Sequence, residues 1–257
     1  MAKIMGSRRR RAKSVVALWL TFTAGFVDIV GFLAIYRLFT AHMTGTTVRI
    51  AEQFVHRNWH EAALASSIVA AFFLGSILGR ILIEIGSRVG LRRIGSVTLA
   101  IEAALLAGSI RSGTVAPSPA AIYVELAMLA SAMGLQTATL TGIGPLTIHT
   151  TFVTGMLNKL AQLVARILLT AYDLSRRSIS SSGNEHRRKR QDSSREARFI
   201  FAIWVLYLAG AGCGTWAADQ WQLRALYLPS SMLLGAIGID QMWPLSIEEE
   251  REQEHET

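Results

Sequence analysis

Six stretches of this chain are apolar and nearly free of charge over about the length a lipid bilayer demands. They run over 14–36, 62–84, 94–111, 120–141, 198–217 and 223–241. At about 1.5 Å of rise per residue, ~20 helical residues cross the roughly 30 Å hydrocarbon layer. Charged residues make up 17% of the chain and are bunched between these stretches. A soluble domain would spread them along its surface. In lipid the backbone has no water to bond, so a crossing segment must satisfy its own N–H and C=O groups as a helix. The expected fold is therefore an all-α integral membrane protein with about six transmembrane helices.

Basic residues orient the spans. Lys3, Arg8, Arg9, Arg10, Arg11 and Lys13 precede the first; Arg88, Arg92 and Arg93 separate the second from the third. Arg176, Arg177, Arg187, Arg188, Lys189, Arg190, Arg195 and Arg198 come before the fifth. With six crossings these seventeen face one side, against Arg37, Arg49, Arg57, Arg111 and Arg224 on the other. The excess marks the cytoplasm and puts both termini there. The net charge of +8 thus reads as a topology signal, with contact to anionic lipid, rather than as a nucleic-acid surface. The apolar run after the basic start is expected to be a retained first span, since no small-residue cleavage site follows it. Cys213 is the only cysteine, which excludes an internal disulfide, and reads as a small packing residue.

Two polar segments interrupt this pattern. TGTTVRIAEQ from Thr44 lies over TGMLNKLAQL from Thr154 without a gap. FFLGSILGR lies over LYLAGAGCGT, with Gly75 and Gly79 opposite Gly210 and Gly214. Gly-x-x-x-Gly lets membrane helices approach closely. The order of parts repeats as well, giving a first unit over 14–111 and a second over 120–241, joined by a linker at 112–119. Each unit carries three crossings, so the second is inserted upside down in a 3+3 inverted repeat, an arrangement many secondary transporters share. The pieces 44–54 and 151–172 are then short Thr-Gly helices, re-entrant or interfacial. A crossing by 151–172 would turn the most basic loop outward. The flanks are a basic tail at 1–13, a disordered basic loop at 174–197 and an acidic tail at 242–257.

Thr44 and Thr154 are expected helix caps, with Gly45 and Gly155 allowing close approach. Under the inverted repeat the two positive helix ends enter from opposite sides and face one cavity, suited to an anionic or polar group. The plainer alternative is a pair of amphipathic helices that only seal the bundle. Asp28 lies inside the first span with no basic neighbour one turn away. A carboxylate there needs a partner, water or a proton, so it is either a proton or cation site or a hydrogen-bonded structural acid. Gln136 is expected as its approximate counterpart in span four. Glu102, mid-span, is a second candidate for coupling or a helix–helix hydrogen bond. His42, two residues before Thr44, titrates near neutrality. Arg80 and Glu84, one turn apart, read as an intrahelical pair. His56 and His60 have helical metal-ligand spacing but no third ligand nearby, so no metal is expected. No phosphate loop, nucleophile elbow or dinucleotide fingerprint occurs; neither enzyme activity nor a cofactor is expected.

AGFVDIVGFLAIYRLFTAHMTGTTV, with MGLQTATL and TTFVTGML later, resembles the paired signatures of the YoaK-like proteins, an uncharacterised multi-pass membrane family. The resemblance covers nearly the whole chain apart from the tails and the basic loop. It implies that Asp28, His42, Thr44, Gly45, Gln136, Thr154 and Gly155 are family positions. It also implies a bacterial inner membrane, and it supplies no substrate. Thr46 stands where the family pattern commonly has Asn. The expected function is a small secondary transporter or channel for a small polar or anionic solute, with proton or cation coupling through Asp28. The second reading is a membrane scaffold or sensor acting through its basic loop and acidic tail. The bilayer is the expected partner, nucleic acid is not, and a homo-oligomer is left open.

Overall fold

The computed structural model describes residues 2–35, 37–91, 93–115, 119–139, 142–143, 146–147, 153–176 and 183–242. Eight helices occupy them: α1 Ala2–Ala34, α2 Met43–Val55, α3 Trp59–Arg88, α4 Ile94–Val115, α5 Pro119–Thr139, α6 Val153–Arg176, α7 Gly183–Trp221 and α8 Tyr227–Met242. A two-residue antiparallel pair, β1 Gly142–Ile143 with β2 Leu146–Thr147, lies between α5 and α6.

Five segments are long and apolar enough to cross a membrane: Ala12–Ala34, Trp59–Arg88, Ile94–Arg111, Ala120–Thr139 and Arg190–Met242. The last holds 53 residues and is broken by a 3-10 turn, Gln222–Leu226, into α7 and α8. The fifth and sixth apolar stretches of the sequence both lie in it. The protein is an integral membrane protein built almost wholly of helices. Its outer surface agrees: Phe73, Leu74, Ile77, Leu78, Ile81 and Ile85 of α3 are all exposed, a contiguous apolar face that water would penalise and lipid would not.

Small residues set the packing. A Cβ built on Gly75 of α3 would strike the Ser131 carbonyl of α5, and one on Gly134 of α5 would strike the Phe72 carbonyl of α3. Across the same seam Ser76 Oγ donates to Gly134 O at 3.2 Å and Ser131 Oγ to Ala71 O at 3.2 Å. A second seam repeats this on α1 and α7. There Gly210 lies against the Phe22 carbonyl, Gly214 against Phe26, and Gly25 against the Tyr207 carbonyl. Both Gly-x-x-x-Gly motifs thus serve as contact faces. In the rest of the bundle α2 lies on α3, α6 lies on α7, and α4 packs on both α5 and α8.

Two expectations need correction. The basic segment 174–197 is not a disordered loop throughout, because α6 continues to Arg176 and α7 begins at Gly183. Arg, Lys, Gln and Glu are good helix formers, and the arm is tied down: Lys159 Nζ of α6 lies 3.3 Å from Glu196 Oε1, and Ser193 is buried. The basic start of the chain is helical, as α1 runs unbroken from Ala2, and the membrane-length segment within it begins at Ala12. Cys213 is exposed on α7 rather than packed. Arg80 Nη2 does reach Glu84 Oε2, at 3.7 Å, as the spacing implied. The acidic tail from Trp243 onward lies outside the described residues.

Candidate functional site

Asp28 sits a turn and a half before the end of α1 and is 2% exposed. After Ala34 the chain turns sharply, with Arg37 at a φ of 52°. It then folds back along α1, so that the backbone N–H groups of Thr40 and Ala41 donate to Asp28 Oδ1 at 3.0 and 2.9 Å. Thr40 Oγ1 adds a longer contact at 3.3 Å. On the other oxygen, Tyr207 Oη of α7 donates to Asp28 Oδ2 at 2.9 Å. His42 Nδ1 approaches the same oxygen at 2.8 Å. The ring N–H does not point along that line, so distance and charge define the contact rather than a linear hydrogen bond. One carboxylate thus gathers a helix, a returning loop and a distant helix. Two backbone donors and two hydroxyls reach it, with the imidazole beside them.

His42 is 40% exposed, with Phe39 edge-on at 4.7 Å and Tyr207 at 6.2 Å between ring centres. Its polar contact with the Asp28 side chain raises the imidazole above the usual histidine value. Burial opposes that shift, and the attraction of the carboxylate charge adds to it. Sequence reasoning missed Thr40 and Tyr207. Thr40 was legible as a hydroxyl close to the motif, whereas nothing local in the sequence ties Tyr207 to Asp28.

Next to this cluster opens a cavity of 620 Å³ lined by Phe39, Ala41, His42, Met43, Thr44, Gly45, Phe72, Thr137, Val153 and Thr154. His42, Thr44, Gly45 and Thr154 were picked from sequence, and they meet here from segments more than a hundred residues apart. Thr44 and Thr154 are each the second residue of their helix, α2 and α6. That corrects the capping assignment: His42 occupies the cap position of α2 and bonds nothing there through its side chain. The threonines instead sit in the first turn, where backbone N–H groups have no carbonyl one turn earlier in their own helix. A Cβ on Gly45 would meet nothing within 4 Å, so that position opens into space. Gly155 follows Thr154 in α6 and does not itself line the cavity.

Gln136 lies elsewhere. Its Nε2 donates to Leu20 O at 2.7 Å, eight residues along α1 from Asp28, or about 12 Å of helix. Glu102, on α4, is fully buried and does not line the cavity. Sequence reasoning also overlooked Asp240, buried in α8, where Ser96 Oγ donates to Asp240 Oδ2 and Gln241 Nε2 donates to Ser96 Oγ at 3.2 Å. The signal was present, an acid inside the last apolar stretch.

No curated protein and no solved structure is significantly similar to this chain. A family model described as a protein of unknown function, DUF1275, matches residues 16–239, which takes in both signature segments and all eight helices in part or whole. The YoaK-like proteins fall within it. The chain belongs to this family of uncharacterised membrane proteins.

Proposed function

We propose that the protein is a small membrane transporter or channel whose solute site is the cavity between the first turns of α2 and α6. One observation carries this reading: two Thr-Gly helix ends, matched in sequence and far apart in the chain, line the same space together with His42. Helix N-termini present unpaired N–H groups and a partial positive charge. The imidazole and the threonine hydroxyls add donors, and Phe39, Met43, Phe72 and Val153 supply an apolar wall. That combination suits a small polar solute with an anionic or carbonyl end.

An inverted repeat supports the reading. Setting α1, α2, α3 and α4 against α5, α6, α7 and α8 pairs a span, a polar helix and two further spans in each half. The seam of α3 with α5 then mirrors that of α7 with α1, and α2 on α3 mirrors α6 on α7. Taken with the turn at Gln222–Leu226, this makes six crossings, with α2 and α6 entering without crossing. Asp28 then acts as the anchor that holds the first re-entrant loop and orients His42, rather than as the ion site itself.

The test is a filled cavity. Gly45→Leu adds a side chain where a Cβ meets nothing, so the fold tolerates it while the cavity is occupied. Uptake of a panel of small carboxylates, phosphate and neutral polyols into proteoliposomes is compared for wild type, Gly45→Leu and Thr154→Val. At least one solute should enter with wild type and lose uptake tenfold or more with Gly45→Leu at unchanged melting temperature. Uptake of every solute equal to that of protein-free vesicles, or equal with Gly45→Leu, overturns the reading.

A further inference from the structure

Four buried polar atoms lack a partner among the described residues at positions the solute site does not use: both carboxyl oxygens of Glu102, Oε1 of Gln136 and Nε1 of Trp19. Glu102 and Gln136 are fully buried. An unpaired polar atom inside a bilayer costs several kcal/mol on the order of a lost hydrogen bond or more. Three side chains in that condition call for a common explanation.

Helix register puts them at one height. Gly108 of α4 meets Met128 of α5. The two helices are consecutive and antiparallel, so six residues from Gly108 to Glu102 correspond to six from Met128 to Gly134, one turn or less from Gln136. Ser96 of α4 bonds Asp240 of α8, so six residues up α4 to Glu102 match six back along α8 to Leu234. At its neighbour Gly235, a Cβ would lie 3.3 Å from the Trp19 ring of α1. Gln136 bonds the carbonyl of Leu20, next to Trp19. Glu102 also follows Gly95 by seven residues, two helical turns, and so shares the α4 face that meets Asp240 of α8. Glu102, Gln136 and Trp19 therefore form one layer where α1, α4, α5 and α8 converge.

The inventory of donors and acceptors selects what this layer holds. With Glu102 as a carboxylate there are two donors left, the indole N–H and the second amide N–H of Gln136, for three oxygens and a full negative charge. With Glu102 as a neutral acid the charge is gone and every oxygen can be served: its O–H reaches the Gln136 carbonyl, and the indole N–H its own carbonyl, bridged by water where the spacing requires. Other ionisable groups on the packed elements stand at other heights. Lys13 and Asp240 are each about six residues away along α1 and α8, roughly 9 Å, and Glu125 is nine residues from Gly134 on α5, roughly 13 Å. Arg224 and Tyr227 flank the start of α8, Arg111 and Tyr123 lie toward the other ends of α4 and α5, and on α3 His60 and Glu61 sit at the first turn and Arg80, Glu84 and Arg88 in the last turns.

We propose that Glu102, Gln136 and Trp19 form a proton-binding site at the centre of the bundle, separate from the cavity, in which Glu102 carries the proton. The site stands whether or not the cavity takes a solute.

The carbonyl stretch of a protonated carboxylic acid in the infrared spectrum tests it, on purified protein in lipid nanodiscs labelled with [13C]glutamate. At neutral pH a glutamic-acid band should be present, move under the label and with deuterium exchange, and lose intensity in Glu102→Gln but not in Glu125→Gln. Trp19→Phe and Gln136→Leu should shift it, which keeps the test decisive if Glu102→Gln fails to fold. No labelled acid band, a band untouched by Glu102→Gln, or one unmoved in both neighbour variants overturns the proposal. A band present in choline chloride and abolished by sodium chloride also overturns it, and assigns the layer to a metal cation instead.

Discussion

Tyr207 Oη donates to Asp28 Oδ2 at 2.9 Å, joining residues 179 positions apart in the chain across the seam of α1 and α7. Asp28 lies about one helical turn beyond Gly25, and it is the backbone of Tyr207 itself that Gly25 lets touch α1. The close approach of the backbones is what allows a phenol to reach a carboxylate buried in the neighbouring helix.

Removing that hydroxyl leaves a buried carboxylate oxygen short of a donor. Tyr207→Phe should cost about 1–3 kcal/mol, read as loss of thermal or denaturant stability in detergent. Asp28→Asn should also destabilise, because an amide cannot accept on both sides from two backbone N–H groups, a threonine and a tyrosine. The double variant should lose clearly less than the two single losses combined, since both act on one network. Simple additivity would mean that the hydrogen bond contributes nothing.

The two glycine seams make a prediction with its control built in. Gly25→Ala and Gly210→Ala each push a methyl group into a facing carbonyl, and separating two helices costs roughly 1–3 kcal/mol or more. Gly212→Ala and Gly238→Ala sit in the same helix or the next, where a Cβ meets nothing within 4 Å. These should be neutral or stabilising by up to about 1 kcal/mol from helix propensity. Equal losses in both pairs, by thermal melting in one detergent, would rule out the seam as drawn.

His42 should make stability depend on pH in a definite direction. Its folded-state value is raised by Asp28 above that of a free histidine, so the folded protein holds the proton more tightly than the unfolded chain. The stabilisation is complete below the unfolded value, about 6.5, and is lost as pH rises through the higher folded value. Wild type should therefore lose melting temperature relative to His42→Gln as pH climbs from the mildly acidic to the mildly alkaline range. A difference that stays flat, or grows with pH, would mean that the contact does not hold the proton.

How much was legible in the sequence follows from which interactions are local. The Thr-Gly helices were visible because the chain writes them twice, and each helix forms where its own residues dictate. The close-approach glycines were visible because four-residue spacing puts both on one helix face. What Asp28 binds was not visible: Tyr207 comes from the far half of the chain, and the Thr40 and Ala41 donors are backbone groups that no side-chain pattern announces. Thr44 and Thr154 were misplaced by two positions as caps because helix boundaries depend on where the returning loop ends, which is a tertiary matter. The helical arm after Gly183 was missed for another reason. Its charges carry no apolar periodicity to read, and its ion pair with α6 comes through Glu196, far along the chain from Lys159.

That arm also decides the topology. With α6 entering but not crossing, the arm lies on the same side as the basic start of α1. Gln191 is exposed on it, in its charged part and seven residues before the apolar stretch that begins at 198. In a Cys213→Ser background, which removes the single native thiol, Gln191→Cys should resist a membrane-impermeant maleimide in intact cells and react once the membrane is opened. Protection would leave α2 and α6 as opposed re-entrant helices, which is what lets two N-terminal ends reach one cavity from opposite sides. Labelling from outside would make α6 a crossing helix. With 24 residues, or about 36 Å of helix, it has the length, though it is not among the segments apolar enough to span. In that event the shared cavity would have to form between parts that are not mirror images, and the repeat would no longer account for the matching Thr-Gly ends.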